Sequence, residues 1–219
     1  MHRVIDSTTF FPTPPKLIEK MLSKIKGKPE FILEPSAGKG DLIEAMKSYS
    51  QSSERHWNRP YEHAKFAAIE INPDLQATLR GKCIKVIDTD FLAYSGPDKF
   101  DLIIANPPFD EGDRHLMKAI EVMYRGEIVF LLNAETIRNP HTRLRKQLLK
   151  KLDELGAKIE YIKNAFKDAE RKTDVEVALV YIKIDRKIED DLFAGCKDKA
   201  SKTREKIKGK QEVSTGKTV

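Results

Sequence analysis

The run FDLIIANPPF, Phe100 to Phe109, passes from four apolar residues straight into an amide, two prolines and a ring. Proline fixes φ and donates no backbone hydrogen bond, so Asn106 and Phe109 stand three residues apart on a backbone stiffened by Pro107 and Pro108, which makes a small shaped surface at a strand end. Other strand ends carry acids. Glu70 can accept both hydroxyls of a ribose, with Ile71 beside it as an apolar wall for a purine face. Asp90 offers an acceptor for an adenine amino group next to the ring of Phe91. The segment EPSAGKGD, Glu34 to Asp41, contains Gly38 and Gly40, which let a backbone pass close to a ligand before a helix begins. It lacks the third glycine, near Ile43, of a dinucleotide fingerprint and the Gly-Lys-Ser/Thr of a phosphate loop, which disfavours pyrophosphate. Each acid alone is more often a helix cap or a solvated loop residue, and NPPF in isolation is commonly a turn with a buried Phe and an Asn cap. Their order along the chain is the stronger argument.

The elements that must position these residues alternate. Leu17, Ile18, Met21, Leu22 and Ile25 mark an apolar helix face, with Thr13 read as its N-cap and Pro14 as its first residue. Strands are expected over 30–36, 64–71, 83–91, 100–106, 127–133, 158–166 and 175–184, and further helices over 40–49, 72–81, 115–124 and 144–156. This is an α/β pattern: a doubly wound, Rossmann-like sheet of seven strands, mostly parallel and covered on both faces. The last two strands are joined by KDAERKTD, too short for a crossover helix, so the last strand is antiparallel. Such sheets bind ligands beyond the carboxyl ends of their strands, where Glu34, Glu70, Asp90 and Asn106 fall.

With 219 residues, 40% of them hydrophobic and 34% charged, the chain supports one sizeable core. MHRVIDSTTFFPTPP has no apolar signal region and IVFLL is far too short to span a bilayer, so no membrane partner is expected. Cys83 and Cys196 form no Cys-x-x-Cys pair, which suggests neither zinc nor a disulfide framework and fits a cytoplasmic location. The net charge of +6 is concentrated: Gly195 to Val219 holds eight Lys/Arg against three Asp/Glu. A folded domain over 1–188 followed by a basic, disordered tail over 189–219 is expected, the tail meeting phosphates or serving solubility.

The series FFPTPP, EPSAGKG, the Glu70 strand end, DTDF and NPPF resembles the class I S-adenosyl-L-methionine-dependent methyltransferases that modify exocyclic amino groups, most closely the adenine-N6 DNA enzymes of phage and prophage type. The resemblance covers about the first 185 residues, and Asn-Pro-Pro-Phe is its most specific part. It implies that Thr13 contacts the methionine end of the cofactor, that Glu34, Ser36, Ala37, Gly38 and Gly40 form its amino-acid pocket, that Glu70 holds the ribose with Ile71 beside it, and that Asp90 and Phe91 bind the adenine. DNA, single-stranded DNA included, is the implied partner. The sequence departs from the pattern in a polar insertion, KSYSQSSERHWNRPYEHAKF, and in having no folded target-recognition domain after the last strand. A separate recognition partner is therefore an alternative, as are methylation of a protein glutamine amide and of RNA adenine.

The chemistry suits the motif. An aromatic amino group is a poor nucleophile because its lone pair is delocalised into the ring. Asn106 Oδ1 and the Pro107 carbonyl can take its two hydrogens, leaving the lone pair aimed at the methyl donor while Phe109 stacks on the base. No metal is needed. Methylation of cytosine carbon would instead require a nucleophilic cysteine, and no Pro-Cys pair exists. Phe166 matches where family members set an aromatic against an extruded base, with a core role equally open. Arg138, Arg143, Arg145 and Lys146 are candidates for following a nucleic-acid backbone or for a solvated helix face. Trp57 and Tyr61, among Arg55, Arg59 and His63, make either a stacking platform or a mobile loop.

Overall fold

Strands that are apolar at every position have no face to give to water, and a sheet made of them must lie between two helical layers. The computed structural model of the chain, which describes residues 12–52, 61–97, 99–167 and 175–186, has this architecture. Its elements in chain order are α1 (Pro15–Leu22), β1 (Phe31–Pro35), α2 (Asp41–Ser52), β2 (Lys65–Ile69), α3 (Pro73–Gly81), β3 (Lys85–Asp88), β4 (Leu102–Ala105), α4 (Gly112–Val122), β5 (Arg125–Asn133), α5 (Ala134–Arg138), α6 (Arg143–Glu154), β6 (Lys158–Ile162) and β7 (Val177–Asp185). The strands form one seven-stranded sheet in the order β3-β2-β1-β4-β5-β7-β6. Parallel pairs run from β3 to β5, with Phe31 opposite Lys65, Pro35 opposite Ile69, and Ala105 opposite Phe130. β7 is antiparallel to β6, its Tyr181 opposite Lys158. This is the class I methyltransferase fold, as expected.

Alternate residues of the central strands feed opposite faces. Leu33, Ile103, Ile128 and Phe130 pack with Leu116 and Ile120 of α4 and Leu148 and Leu152 of α6. Ile32, Leu102, Ile104 and Val129 pack with Leu17 and Met21 of α1 and Leu42 and Met46 of α2. The unit Met1–Ile184 contains this core; of the unit Asp185–Val219 only Asp185 and Arg186 are described. The expected tail, and Arg55, Trp57 and Arg59, lie outside the described residues.

Several boundaries differ from expectation for identifiable reasons. Pro14, not Thr13, caps α1, and Pro15 is its first residue. A residue preceding proline is driven from the helical region, so Pro14 stays extended (φ −61°, ψ 146°) while its carbonyl accepts from Leu17 and Ile18. α2 runs to Ser52, into the expected insertion, and Tyr61 is 5% exposed in the core beside α1 and α2, so it is not a stacking platform. β3 stops at Asp88 and β6 at Ile162, leaving Asp90, Phe91 and Phe166 in the turns that follow. Asn164 takes a positive φ of 54° there, a conformation asparagine tolerates. The short α5 is absent from the sequence expectation; Asn133 caps it by accepting from Glu135 N at 2.9 Å.

Candidate active site

The strand order reverses at β1. From β1 the chain moves outward to β2 and β3, then returns to place β4 on the other side of β1, so the connections leaving β1 and β4 diverge and open a crevice beyond their carboxyl ends. A hollow lies there, lined by Thr13, Glu34, Ser36, Ala37, Asp41 and Asn106 with Pro12 and Leu42. Residues from three distant stretches of chain meet in it.

The loop after β1 is shaped by its backbone. Ser36 has a positive φ of 68°, and the N–H groups of Ser36 and Ala37 both donate to the Ile69 carbonyl at the end of β2, at 2.9 and 3.0 Å. The loop is thereby laid across two strand ends. Gly38 N donates to Glu70 Oε2 at 2.7 Å, and Asn72 N to Glu70 Oε1 at 2.8 Å. Gly40 (φ 83°) closes the turn where a Cβ would come within 2.8 Å of Ile84 and Leu79 side-chain atoms.

Three carboxyl groups surround this loop. Glu34 is 3% exposed, and its Oε2 has no hydrogen-bond partner among the described residues. Burial, then the charge of Asp41, holds its carboxyl well above the ordinary range; a backbone hydrogen bond at Ile43 opposes this and the charge of Glu70 adds to it. Glu70 is 6% exposed. Burial raises its pKa against the backbone hydrogen bonds of Asn72, Gly38 and Ile71. Two carboxylate oxygens offer about four acceptor sites, so these three backbone donors leave Glu70 room for a further hydrogen bond. Beside it Ile71 is 43% exposed, an uncovered apolar side chain at the rim.

Asp90 is half-buried and Phe91 is buried. Asp90 Oδ1 accepts from Leu92 N at 2.8 Å, and the Phe91 ring is buried, its centroid 6.0 Å from that of His115. His115 is buried too, its Nδ1 3.0 Å from the Glu111 carbonyl, and burial lowers its pKa.

Across the hollow, Asn106 follows β4 directly. Its Nδ2 donates to Thr13 Oγ1 at 3.0 Å, and its Oδ1 is buried. Pro107 is buried and Pro108 half-buried, with Glu111 N donating to the Pro108 carbonyl at 3.1 Å. Phe109 is half-buried and meets Phe166 edge-on, centroids 5.6 Å apart at 81°. Phe166 is fully buried, so it supports Phe109 and exposes no face of its own.

The structure therefore brings together Thr13, Glu34, Ser36, Ala37 and Asn106, sets Gly38, Gly40 and Glu70 directly behind them, and leaves Phe91 and Phe166 in the core. Asp41 is a lining residue that sequence reasoning does not single out. An acid in a first helical turn is ordinarily explained by the helix dipole, and nothing local marks it as facing a hollow. The basic set is partly committed: Arg138 pairs with Glu176 at 2.5 and 2.9 Å, and Arg145 reaches Asp113 at 3.4 Å, while Arg143 and Lys146 are exposed on α6.

No protein-family model matches the sequence. Over 107 residues, 48% of this chain, it is 31% identical to the type II methyltransferase M.CvrRI of Paramecium bursaria Chlorella virus XZ-6E, of which that stretch is 25%. The chain thus spans about a quarter of this curated relative. Among solved structures it resembles the methyltransferase subunit of a type I restriction-modification system from Streptococcus thermophilus (TM-score 0.60, 16% identity, 80% of this chain and 45% of that one). It also resembles a Listeria monocytogenes protein described as a class I S-adenosylmethionine-dependent methyltransferase (TM-score 0.57, 16% identity, 84% and 64%).

Proposed function

We propose that this chain, built on the class I methyltransferase fold, binds S-adenosyl-L-methionine and catalyses methyl transfer to an exocyclic amino nitrogen, with adenine N6 in DNA as the first choice. The observation that carries the proposal is the meeting of Glu34 and Ser36, from the end of β1, with Asn106, from the end of β4, in one hollow at the sheet's switch point. The donor set suits the cofactor. A buried carboxyl with an unmet oxygen beside a second acid favours an ammonium group, Glu70 favours a diol, and the exposed Ile71 favours a purine face. The cofactor, when bound, supplies a methyl group on a positively charged sulfur.

The chain's own residues do the rest by positioning. Asn106 Oδ1 and the Pro107 carbonyl accept the two hydrogens of the target amine, which turns its lone pair out of conjugation. Burial of Oδ1 makes that hydrogen bond stronger than it would be in water. Phe109, backed by the buried Phe166, stacks on the base, and the two prolines keep amide, carbonyl and ring in register.

The test is methyl transfer from labelled cofactor to duplex DNA, single-stranded DNA, RNA and total protein, followed by nucleoside analysis. Label in N6-methyldeoxyadenosine is expected. Label in protein alone would shift the substrate to a glutamine amide, label in RNA alone to RNA adenine, and cofactor binding without transfer to a subunit that needs a recognition partner. Absence of cofactor binding would overturn the proposal.

A further inference from the structure

The hydrogen bond from Asn106 Nδ2 to Thr13 Oγ1 joins residues 93 positions apart, across the hollow. An asparagine amide has two ends of nearly equal size and opposite polarity. An amine to be pinned brings two hydrogens, so the end that meets it must be Oδ1; the amide turned by half a revolution would set donor against donor. With Nδ2 bonded to Thr13 Oγ1, Oδ1 is the end left for the amine, and that bond holds the side chain where it stands.

Thr13 gives Nδ2 an acceptor on a rigid mount. Pro12 and Pro14 flank it and restrict its backbone. The Pro14 carbonyl is tied to Leu17 and Ile18 of α1, whose Leu17, Ile18, Met21 and Leu22 are buried against the sheet. The hydroxyl is therefore held by the core. On the other side, Asn106 follows a strand with every residue buried and precedes a buried proline.

We propose that Thr13 is a positioning residue, whose hydroxyl anchors the Asn106 side chain in the place from which its amide meets the target amine. This rests on the reading of Asn106 as the amine's acceptor, and it gives Thr13 a role separate from any contact with the cofactor. Thr13→Val keeps the shape and removes the acceptor. Thr13→Ser keeps the acceptor.

Two measurements test it. The first uses the full chain with asparagine labelled by nitrogen-15, the Asn106 side-chain signals being assigned by their disappearance in Asn106→Ala. Thr13→Val should shift those signals and speed exchange of the Nδ2 protons with water, whereas Thr13→Ser should leave both near wild type. The second is single-turnover methyl transfer to adenine-containing single-stranded DNA at saturating cofactor. There Thr13→Val should be slower by about 10- to 100-fold, because a small misplacement of a positioning group costs that much, a loss larger than any in cofactor affinity by calorimetry, and Thr13→Ser should recover most of the rate. Unchanged Asn106 signals in Thr13→Val, a wild-type rate, or a loss of rate matched by an equal loss of cofactor affinity would each overturn the assignment. Wild-type turnover in Asn106→Ala would instead remove the underlying reading of Asn106. Thermal melts of each variant separate these outcomes from misfolding.

Discussion

Glu34 and Glu70 are both carboxyl groups made costly to ionise by burial, and the cost has a definite sign in pH. Between the ordinary value of 4.5 and its raised value in the fold, Glu34 keeps a proton in the folded chain that the unfolded chain has released. The folded state binds more protons in that window, so this group's contribution to stability falls as pH rises through it. Glu34→Gln has the same shape and nothing to ionise. Its stability relative to wild type should therefore rise as pH is taken from about 5 towards 8, read from urea unfolding at each pH; parallel curves would contradict the raised pKa. Glu70 differs because its two oxygens already accept from Gly38 and Asn72 backbone donors. Glu70→Ala should unfasten the loop as well as remove the proposed ribose acceptor. Each hydrogen bond to a charged acceptor is worth about 1.5–3 kcal/mol, so cofactor affinity should drop by more than tenfold, measured by calorimetry at a temperature where the variant is folded. Unchanged affinity would take Glu70 out of the cofactor site.

The elements set these residues by close packing between strand ends and helix starts, and two glycines separate the loop's contribution to binding from its contribution to folding. At Gly40 a methyl group would press on the Ile84 and Leu79 side chains at 2.8 Å, with φ at 83°. At Gly126, near the start of β5 and so at the amino ends of the strands, away from the hollow, it would meet the Asp101 backbone oxygen at 2.3 Å with φ at 147°. Gly40→Ala should cost about 1–3 kcal/mol and also weaken cofactor binding, because the turn over 36–40 must move. Gly126→Ala should cost at least as much, since backbone yields less than side chain, yet leave the affinity of the folded protein unchanged. Equal affinity loss in both would mean that the turn has no special role. Much of this arrangement is legible in the sequence. Runs such as LIIA and FLL have no polar face and declare buried strands, and the glycines and strand-end acids mark the edge where the hollow lies. The five residues of α5 are too few to show a period, and β6 ends before an asparagine turn that the apolar pattern runs past, which draws Phe166 into the expected strand. Pairings such as Thr13 with Asn106 have no local signal, because the fold alone brings them together.

For the whole molecule the question is how a substrate as charged as DNA would be held. Gly195 to Val219 carries a net +5 of the chain's +6, which leaves +1 for all the remaining residues. Around the candidate site the hollow is acidic, and of the basic residues at α5 and α6, Arg138 and Arg145 are engaged with Glu176 and Asp113. Arg143, Lys146 and Lys150, exposed on α6, are a small footprint for a phosphate backbone. If DNA is the substrate, much of the non-specific affinity must then come from the C-terminal segment. Removing residues 195–219 should weaken DNA binding and flatten its dependence on salt. The slope of log K against log salt should fall by about 0.9 for each duplex phosphate that the segment neutralises, or about 0.7 for each phosphate of a single strand. Turnover at saturating DNA should survive, because none of the strand-end residues lies in that segment. The two effects can be read from one set of titrations across salt concentrations and one saturation curve. A truncated chain that binds DNA with the same slope would move the phosphate-binding groups onto the folded body, to α6 first. A truncated chain whose saturated rate collapses would instead mean that the segment takes part in assembling the site itself.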